Sequence, residues 1–370
     1  MPGMKKWRDV ITIGPAVSLM EVDEAYDLAA RVFGPTYPEA VARLTLVRFR
    51  EGLESPGDVL VARCKAKIVG MVQVLPRRMY FSGKVVQAFG LGHVCVDPSL
   101  QGRGYGGRLV TRALQLVHER EGLFAIVIAR RAVDGFYSKY GFAGIDGFAE
   151  ICVASRGTFL QRRTNLLCLR SETFENVKTM ARAYRDTYSR MEFSFCRSER
   201  WWKHFGARLG GASPDSEVID VRAGGASIGY GVLSKGVVIE LAAVKAKWEL
   251  VLQAVLPYLL KDRPSGARFA LALSHPCMAY LQNVNHTIAL RFAWDGGHMI
   301  RIMNERALMP SWSRQGGGIA RKNISSSKTS KGNKEISRHR SAREALLQGF
   351  SRQSVSILGV HPVWSILDEF

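Results

Sequence analysis

Residues 92–107, GHVCVDPSLQGRGYGG, hold the glycines and side chains whose spacing best supports chemistry. A short β-branched strand ends at Asp97, and a glycine-rich turn runs from Gln101 to Gly107 before an amphipathic helix. Glycines let a backbone approach a ligand closely, and the first amides of a helix have no carbonyl partner within that helix. Because a helix N-terminus also carries partial positive charge, this stretch predicts a pyrophosphate site.

The turn differs from two common phosphate-binding motifs. Its glycines give the pattern GxGxGG, whereas the dinucleotide fingerprint is GxGxxG. No Gly-Lys-Ser/Thr follows, so the turn is not a P-loop either. What the chain does contain is Gln-x-x-Gly-x-Gly, placed after a Val-x-Val strand that ends in proline.

This combination resembles motif A of the GNAT superfamily of acetyl-CoA-dependent N-acetyltransferases, and the order of predicted elements extends the resemblance over roughly residues 8–155. The resemblance implies acetyl-CoA as cosubstrate, with its pantetheine arm on the strand and its diphosphate on the turn amides. We expect Arg103 to meet a phosphate, with solvent exposure as the alternative. The implied cofactor-binding residues are Val94, Cys95, Val96, Gln101, Gly102, Arg103, Gly104, Tyr105, Gly106 and Gly107.

Acetyl transfer needs an acceptor for the amine proton, a donor to the oxyanion and an acid for the departing thiolate. Tyr137 lies five residues before Phe142 and matches the tyrosine of the family's motif B, which makes it the candidate general acid. The alternative for Tyr137 is a packing residue of the core. The resemblance also implies that the backbone amide of Val94 or Val96 stabilises the oxyanion.

The first half of the chain predicts a strand, a helix, a hairpin, the cofactor strand with its helix, and a further strand. Their ranges are 10–13, 19–33, 58–63 with 67–75, a short piece at 78–81, 88–97, 104–122 and 123–129. The same order restarts near residue 165. The predicted elements there are a strand at 166–169, a long helix over 175–209, a hairpin of 217–222 and 226–234, a strand at 238–244, a helix over 247–260 and a strand at 269–273.

No glycine-rich turn follows Val244 in this second copy, so its backbone is not expected to approach a pyrophosphate. The predicted fold class is therefore α/β (α+β), with two tandem GNAT-like mixed-sheet domains, the second degenerate. We expect a catalytic domain over 1–157, a degenerate domain over 165–310, a basic low-complexity segment over 311–345 and a tail over 346–370 docked near the active site.

The tandem layout is similar to the enhanced-intracellular-survival branch of aminoglycoside acetyltransferases, although about 60 residues after 310 are too few for that branch's third domain. In that branch the chain ends in Phe and its carboxylate reaches the active site, which implies Phe370 as a candidate general base. His93 is the other candidate, because its intrinsic pKa suits the task. Strand alternation, however, places His93 opposite Val94 unless a bulge intervenes.

Composition restricts the partners and the compartment. The net charge of +20 favours anions such as coenzyme A. Residues 321–343 are basic but lack interleaved aromatic residues, so we do not expect specific nucleic-acid binding. The six cysteines show neither a disulfide framework nor metal spacing, and no long apolar run is present, so we expect a cytoplasmic protein without a metal or a membrane span.

Two enzyme functions remain open at this stage. The first is acetylation of a primary amine on a small molecule, with an aminoglycoside-type antibiotic as the family-guided choice. The second is acetylation of a peptide or protein amine, which an open groove across the sheet would favour. A non-catalytic nucleic-acid module using the basic segment ranks third, and a homo-oligomer is left open.

Overall fold

The structure is a computed structural model of the chain. It describes residues 11–34, 55–65, 67–129, 133–144, 149–153, 165–171, 176–199, 201–202, 216–261, 266–272, 274–281, 286–290, 298–304 and 307. The strands are β1 (Ile11–Pro15), β2 (Val59–Cys64), β3 (Lys67–Phe81), β4 (Lys84–Val96), β5 (Phe124–Ile128), β6 (Ala143–Gly144), β7 (Ala149–Val153), β8 (Leu166–Ser171), β9 (Ser216–Ala223), β10 (Ala226–Ser234), β11 (Val237–Ala243), β12 (Ala267–Leu271), β13 (His286–Leu290) and β14 (His298–Ile302). The helices are α1 (Leu19–Phe33), α2 (Tyr105–Glu119), α3 (Asp134–Ser138), α4 (Val177–Tyr188), α5 (Trp248–Leu260) and α6 (Met278–Leu281).

The strands form two mixed sheets with the same internal order. The first sheet runs β1-β2-β3-β4-β5-β14-β6, and the second, read from its opposite edge, runs β8-β9-β10-β11-β12-β7-β13. In each sheet the fourth and fifth strands are parallel, β4 with β5 and β11 with β12. The predicted α/β fold with a repeated element order is therefore confirmed.

The sixth position of each sheet is filled by a strand from the other half of the chain. β14 lies between β5 and β6 in the first sheet, and β7 lies between β12 and β13 in the second. Each exchanged strand is antiparallel to both of its neighbours. Each sheet thus contains one strand from the other side of the boundary that the sequence predicts at 157–165. The domain boundaries themselves stay a prediction.

The two long helices of the first half cover opposite faces of the first sheet. Val59 and Val61 of β2 pack in the cluster of α1, whereas Leu60 and Ala62 pack in the cluster of α2. This alternation follows from the two-residue period of a strand. Because α1 and α2 lie on separate faces, a residue's face on β4 decides which helix it meets.

Most predicted elements of the first half are confirmed. Helix α1 has the predicted bounds, with Ser18 Oγ accepting from Glu21 N as its N-cap. The separate piece predicted at 78–81 is wrong, because β3 continues through Pro76 to Phe81. β2 pairs with β3 only as far as Gln73, so Pro76 lies beyond the part of β3 that β2 covers, an edge-like position that tolerates proline.

The long helix predicted over 175–209 is also wrong, since α4 ends at Tyr188. The following residues lie against β3, where Tyr80 N donates to Ser194 O at 2.9 Å and Phe193 N donates to Tyr80 O at 2.8 Å. Phe193 and Phe195 are buried in an apolar cluster that includes Phe124. Burial of these two rings outweighs the intrinsic helix preference of the segment.

Candidate active site

Two glycines of the turn between β4 and α2 adopt a backbone conformation that favours glycine. Gly102 has φ +75° and Gly104 has φ +82°, both in the left-handed region that other residues rarely adopt. The Gln101 side chain closes the turn, because its Nε2 donates to Val96 O at 3.0 Å. Upstream, Asp97 Oδ1 accepts from Ser99 N and Oγ, and these hydrogen bonds lower the pKa of Asp97. Side-chain hydrogen bonds therefore fix the N-terminal end of the turn.

Helix α2 presents its N-terminus at the end of this turn. Its N-cap is Gly104, and no side chain caps this end. The amides of Tyr105, Gly106 and Gly107 belong to the first turn of α2, where no carbonyl lies four residues earlier in the helix. Arg103 is exposed beside them. Uncapped amides next to an exposed cation are suited to binding a diphosphate.

An open cavity of about 500 Å³ lies along α2 from its N-terminus. Its walls are Ile13, Gly104, Gly107, Arg108, Thr111, Arg112, Gln115 and Tyr140. Arg108 is exposed and its Nη2 donates to Ile11 O at 3.0 Å, whereas Arg112 is half-buried and forms an ion pair with Glu119 at 2.7 Å. A cavity with cationic walls that begins at free helix amides matches an anionic ligand.

Helix α3 and the turn after it lie against the start of α2. A Cβ on Gly107 would be 2.1 Å from Tyr140 Oη, and a Cβ on Gly106 would be 3.8 Å from the Phe136 ring. The close approach explains why position 107 is glycine. The structure therefore brings the predicted turn and the predicted tyrosine helix together.

Tyr137 is buried in the apolar cluster that also contains Val94, Val96 and Tyr105. Its ring packs edge-to-face on Phe142, with centroids 5.9 Å apart. Burial raises the pKa of Tyr137 to about 12, so the phenol holds its proton at neutral pH. A protonated phenol is the form that a general acid requires.

The parallel strands β4 and β5 separate in front of the glycine turn. Their pairing runs from Ala88 with Phe124 to Gly90 with Ile126, while β4 continues to Val96. Beyond Gly90, none of the described strands pairs with β4 on its β5 side. This opening leaves the backbone of the predicted cofactor residues accessible for hydrogen bonds to a ligand.

A bulge on β4 sets the direction of His93. The register with β3 shifts between the pairs Gly92–Gln73 and Cys95–Met71, and His93 has φ +52°. Its ring meets the Tyr26 ring of α1, with centroids 5.3 Å apart.

His93 therefore lies on the α1 side of the first sheet, whereas Val94 and Val96 pack on the α2 side. Cys95 also belongs to the α1 cluster, and burial raises the pKa of its thiol to about 12. The two faces separate His93 from the side of the sheet that carries the glycine turn.

The remaining candidates are placed as follows. Phe370 lies outside the described residues. Among the described residues, no group of His, Cys, Asp and Glu could hold a metal ion. None of the described helices is long and apolar enough to cross a membrane.

The corresponding place in the second sheet is closed by the protein's own side chains. On β11, Leu241 O accepts from Tyr188 Oη at 3.0 Å and lies 2.9 Å from His275 Nε2. Ala243 N donates to Thr187 Oγ1 at 3.2 Å. In the turn that follows β11, Lys245 N donates to the Asp186 carboxylate at 3.0 Å. A carboxylate thus takes the place that a phosphate would need.

Sequence reasoning missed these residues of the second half. Asp186, Thr187 and Tyr188 come from the end of α4, far along the chain from β11, and their spacing carries no motif. Burial lowers the pKa of His275 to about 4, so this histidine is a neutral hydrogen-bonding group at neutral pH. The lack of glycine after Val244 was the one available signal.

One family model matches a part of the first half of the chain. A family model described as an acetyltransferase (GNAT) domain matches residues 16–145. No curated protein matches the chain.

Three similar structures share the fold. A GCN5-related N-acetyltransferase from Kribbella flavida is 16% identical, with 80% of this chain and 71% of that chain covered and a TM-score of 0.59. Eis1 from Mycobacterium abscessus is 18% identical, with 82% and 76% covered and a TM-score of 0.59. A probable N-acyltransferase from Enterococcus faecalis V583 is 15% identical, with 80% and 73% covered and a TM-score of 0.60.

Proposed function

We propose that this chain, whose residues 16–145 are a GNAT acetyltransferase domain with acetyl-CoA as cosubstrate, acetylates a primary amine of a small molecule. The best choice of acceptor is an aminoglycoside-type antibiotic. One observation carries the proposal: β4 opens away from β5 directly beside a glycine turn and an uncapped helix N-terminus. That arrangement offers strand backbone to a pantetheine arm and helix amides to its diphosphate.

In the proposed reaction the amine nitrogen attacks the thioester carbonyl and loses a proton, and the C–S bond then breaks. Either the Phe370 carboxylate or His93 accepts the amine proton, and His93 would do so from the α1 side of the sheet. A backbone amide of Val94 or Val96 donates to the oxyanion. Tyr137 donates its phenolic proton to the departing thiolate and regains one from solvent, so the proton count balances.

The helix that contacts His93 carries acidic side chains, which supports a cationic amine as acceptor. Helix α1 supplies the Tyr26 ring that meets His93, and Asp23, Glu24 and Asp27 lie on the same helix. Glu24 and Asp27 are exposed. An acidic helix next to the proposed base attracts a polycation even though the chain as a whole is basic.

We assign a structural role to the degenerate second domain, over 165–310. Tyr188 and His275 contact the Leu241 carbonyl on β11, the strand that corresponds to the cofactor strand, and the amide of the following turn donates to Asp186. These contacts support one coenzyme per chain. The basic segment 311–345 and a docked tail over 346–370 stay part of the proposal.

A reducing, cytoplasmic location completes the proposal. None of the six cysteines forms a disulfide within the described residues. Free thiols are typical of proteins from reducing compartments, where acetyl-CoA is also used.

A thiol-release assay with acetyl-CoA tests the proposal against two amine panels, aminoglycosides with other small amines, and peptides. We expect turnover with polycationic small amines, and a large loss in Tyr137→Phe. If only peptides are acetylated, the proposed acceptor class is wrong and the proposed acetyl-transfer steps still hold. Extension of the chain by one residue beyond Phe370, compared with His93→Gln, identifies which of the two groups is the base.

A further inference from the structure

The strand exchange places a residue of the C-terminal half beside the proposed acid. Strand β14 is antiparallel to β5 from His298–Ile128 to Ile302–Phe124, and it pairs Met299 with Gly144 of β6. It therefore occupies the gap between β5 and β6, the strands that flank α3 along the chain. Any side chain of β14 on the α2 face reaches the neighbourhood of α3.

Two side chains of β14 do so. Met299 is 3% exposed and packs in the cluster that contains Tyr137 and Phe142. Arg301, two residues on and hence on the same face, donates from Nη1 to Tyr140 O at 2.5 Å. A guanidinium donor to a carbonyl is a charge-assisted hydrogen bond, which is stronger than a neutral one.

The carbonyl that Arg301 holds belongs to the turn built on Tyr137. Tyr140 N donates to Tyr137 O at 2.9 Å, and Phe142 N donates to the same oxygen at 3.4 Å. The Tyr140 ring ends against Gly107 at the start of α2. Tyr140 is thus fixed to Arg301 by its carbonyl, to Tyr137 by its amide and to the coenzyme turn by its ring.

We infer that Arg301 is a positioning residue that holds the Tyr137–Phe142 turn, so that the C-terminal half of the chain sets the place of the proposed acid at the thiolate. This inference rests on the proposed role of Tyr137. It gives the exchanged strand a part in turnover, in addition to its part in closing the sheet. Arg301 itself contacts a backbone carbonyl and takes no proton.

The test compares Arg301→Met, Arg301→Lys and Tyr137→Phe, with Arg120→Met as the matched control. Arg120 also donates to a backbone carbonyl, Gly57 O, and to Asp58, but at the far end of α2 from the glycine turn. Misplacement of a reacting group by an ångström can cost up to about 100-fold, and we expect Arg301→Met to lower kcat about tenfold. Arg301→Lys keeps a cationic donor and is expected to retain more kcat, and Arg120→Met to retain all of it.

A double variant distinguishes positioning from general stabilisation. If Arg301 acts through Tyr137, Arg301→Met should cost nothing further in kcat once Tyr137 is Phe. Hydrogen exchange should also become faster at the amides of Tyr140, Gly141 and Phe142 in Arg301→Met and stay unchanged there in Arg120→Met.

Independent kcat losses in the double variant, or unchanged exchange at these three amides, would overturn the inference. If the wild-type chain acetylates no amine, the proposed function fails, and the exchange measurement alone then decides whether Arg301 holds the turn.

Discussion

Replacement of Gly104 by Ala is the sharpest perturbation of the proposed coenzyme site. Gly104 has φ +82°, and a Cβ at this position would meet nothing within 4 Å in the free protein. Any loss therefore comes from the backbone or from the ligand. An L-residue in the left-handed region costs about 1–2 kcal/mol, and relief of that strain rotates the amides at the start of α2.

Gly83→Ala is the matched control. Gly83 has φ +69°, its Cβ would also meet nothing within 4 Å, and it lies in the turn between β3 and β4. Both variants should lower the unfolding temperature by similar amounts. Only Gly104→Ala should weaken acetyl-CoA binding, because a hydrogen bond to a charged group contributes about 1.5–3 kcal/mol.

That loss corresponds to an affinity about 10- to 150-fold weaker. Isothermal titration calorimetry with acetyl-CoA measures it directly. If the two variants bind acetyl-CoA equally well, and as well as the wild-type chain, the turn does not hold the diphosphate and the reasoning is refuted.

Three further results are expected. Tyr137→Phe should lower kcat about 100-fold without changing the acetyl-CoA Kd, and a variant with the full rate would contradict the assignment. Because burial raises the pKa of Tyr137 to about 12, the kcat–pH profile of the wild-type chain should show no loss from this group below about pH 10. A chain cut after residue 160 lacks β14 and should show no cooperative melting by circular dichroism, so a fragment that melts cooperatively and binds acetyl-CoA would contradict the strand exchange. Burial lowers the pKa of His275 from 6.5 to about 4. Its contribution to the free energy of unfolding is therefore present above pH 6.5 and falls by about 3 kcal/mol as the pH drops to 4. The free energies of unfolding of wild-type and His275→Gln chains in urea should converge in acid, and a difference that stays constant with pH would refute the argument.

Local features of the fold were readable from the sequence because they depend on near neighbours. The apolar period of α1, broken by proline just beyond it, predicted its bounds, and the glycines at 101–107 predicted a turn before the next helix. The repeat of strand, helix and hairpin likewise predicted two similar sheets. For α1 and for the turn, the signal lies within the segment that forms the element.

Features set by distant contacts were not readable. β7 and β14 are both five-residue strands, and nothing in their sequences shows that each pairs with the other half of the chain. The end of α4 at Tyr188 depends on burial of Phe193 against the first sheet. The bulge at His93 could have been flagged by the adjacent Gly92, since glycine within a strand often marks a bulge.

The catalytic assignments stay predictions. The structure places Tyr137 by the glycine turn and His93 on the α1 face, whereas Phe370 lies outside the described residues. The choice between His93 and Phe370 therefore depends on the kinetic comparison of their variants.

A crystal structure with acetyl-CoA tests the central claim most directly. The account predicts one coenzyme per chain, with its diphosphate within hydrogen-bond distance of the amides between Gln101 and Gly107 and its pantetheine arm along β4. A diphosphate bound instead at the turn after β11, near Lys245, would contradict it.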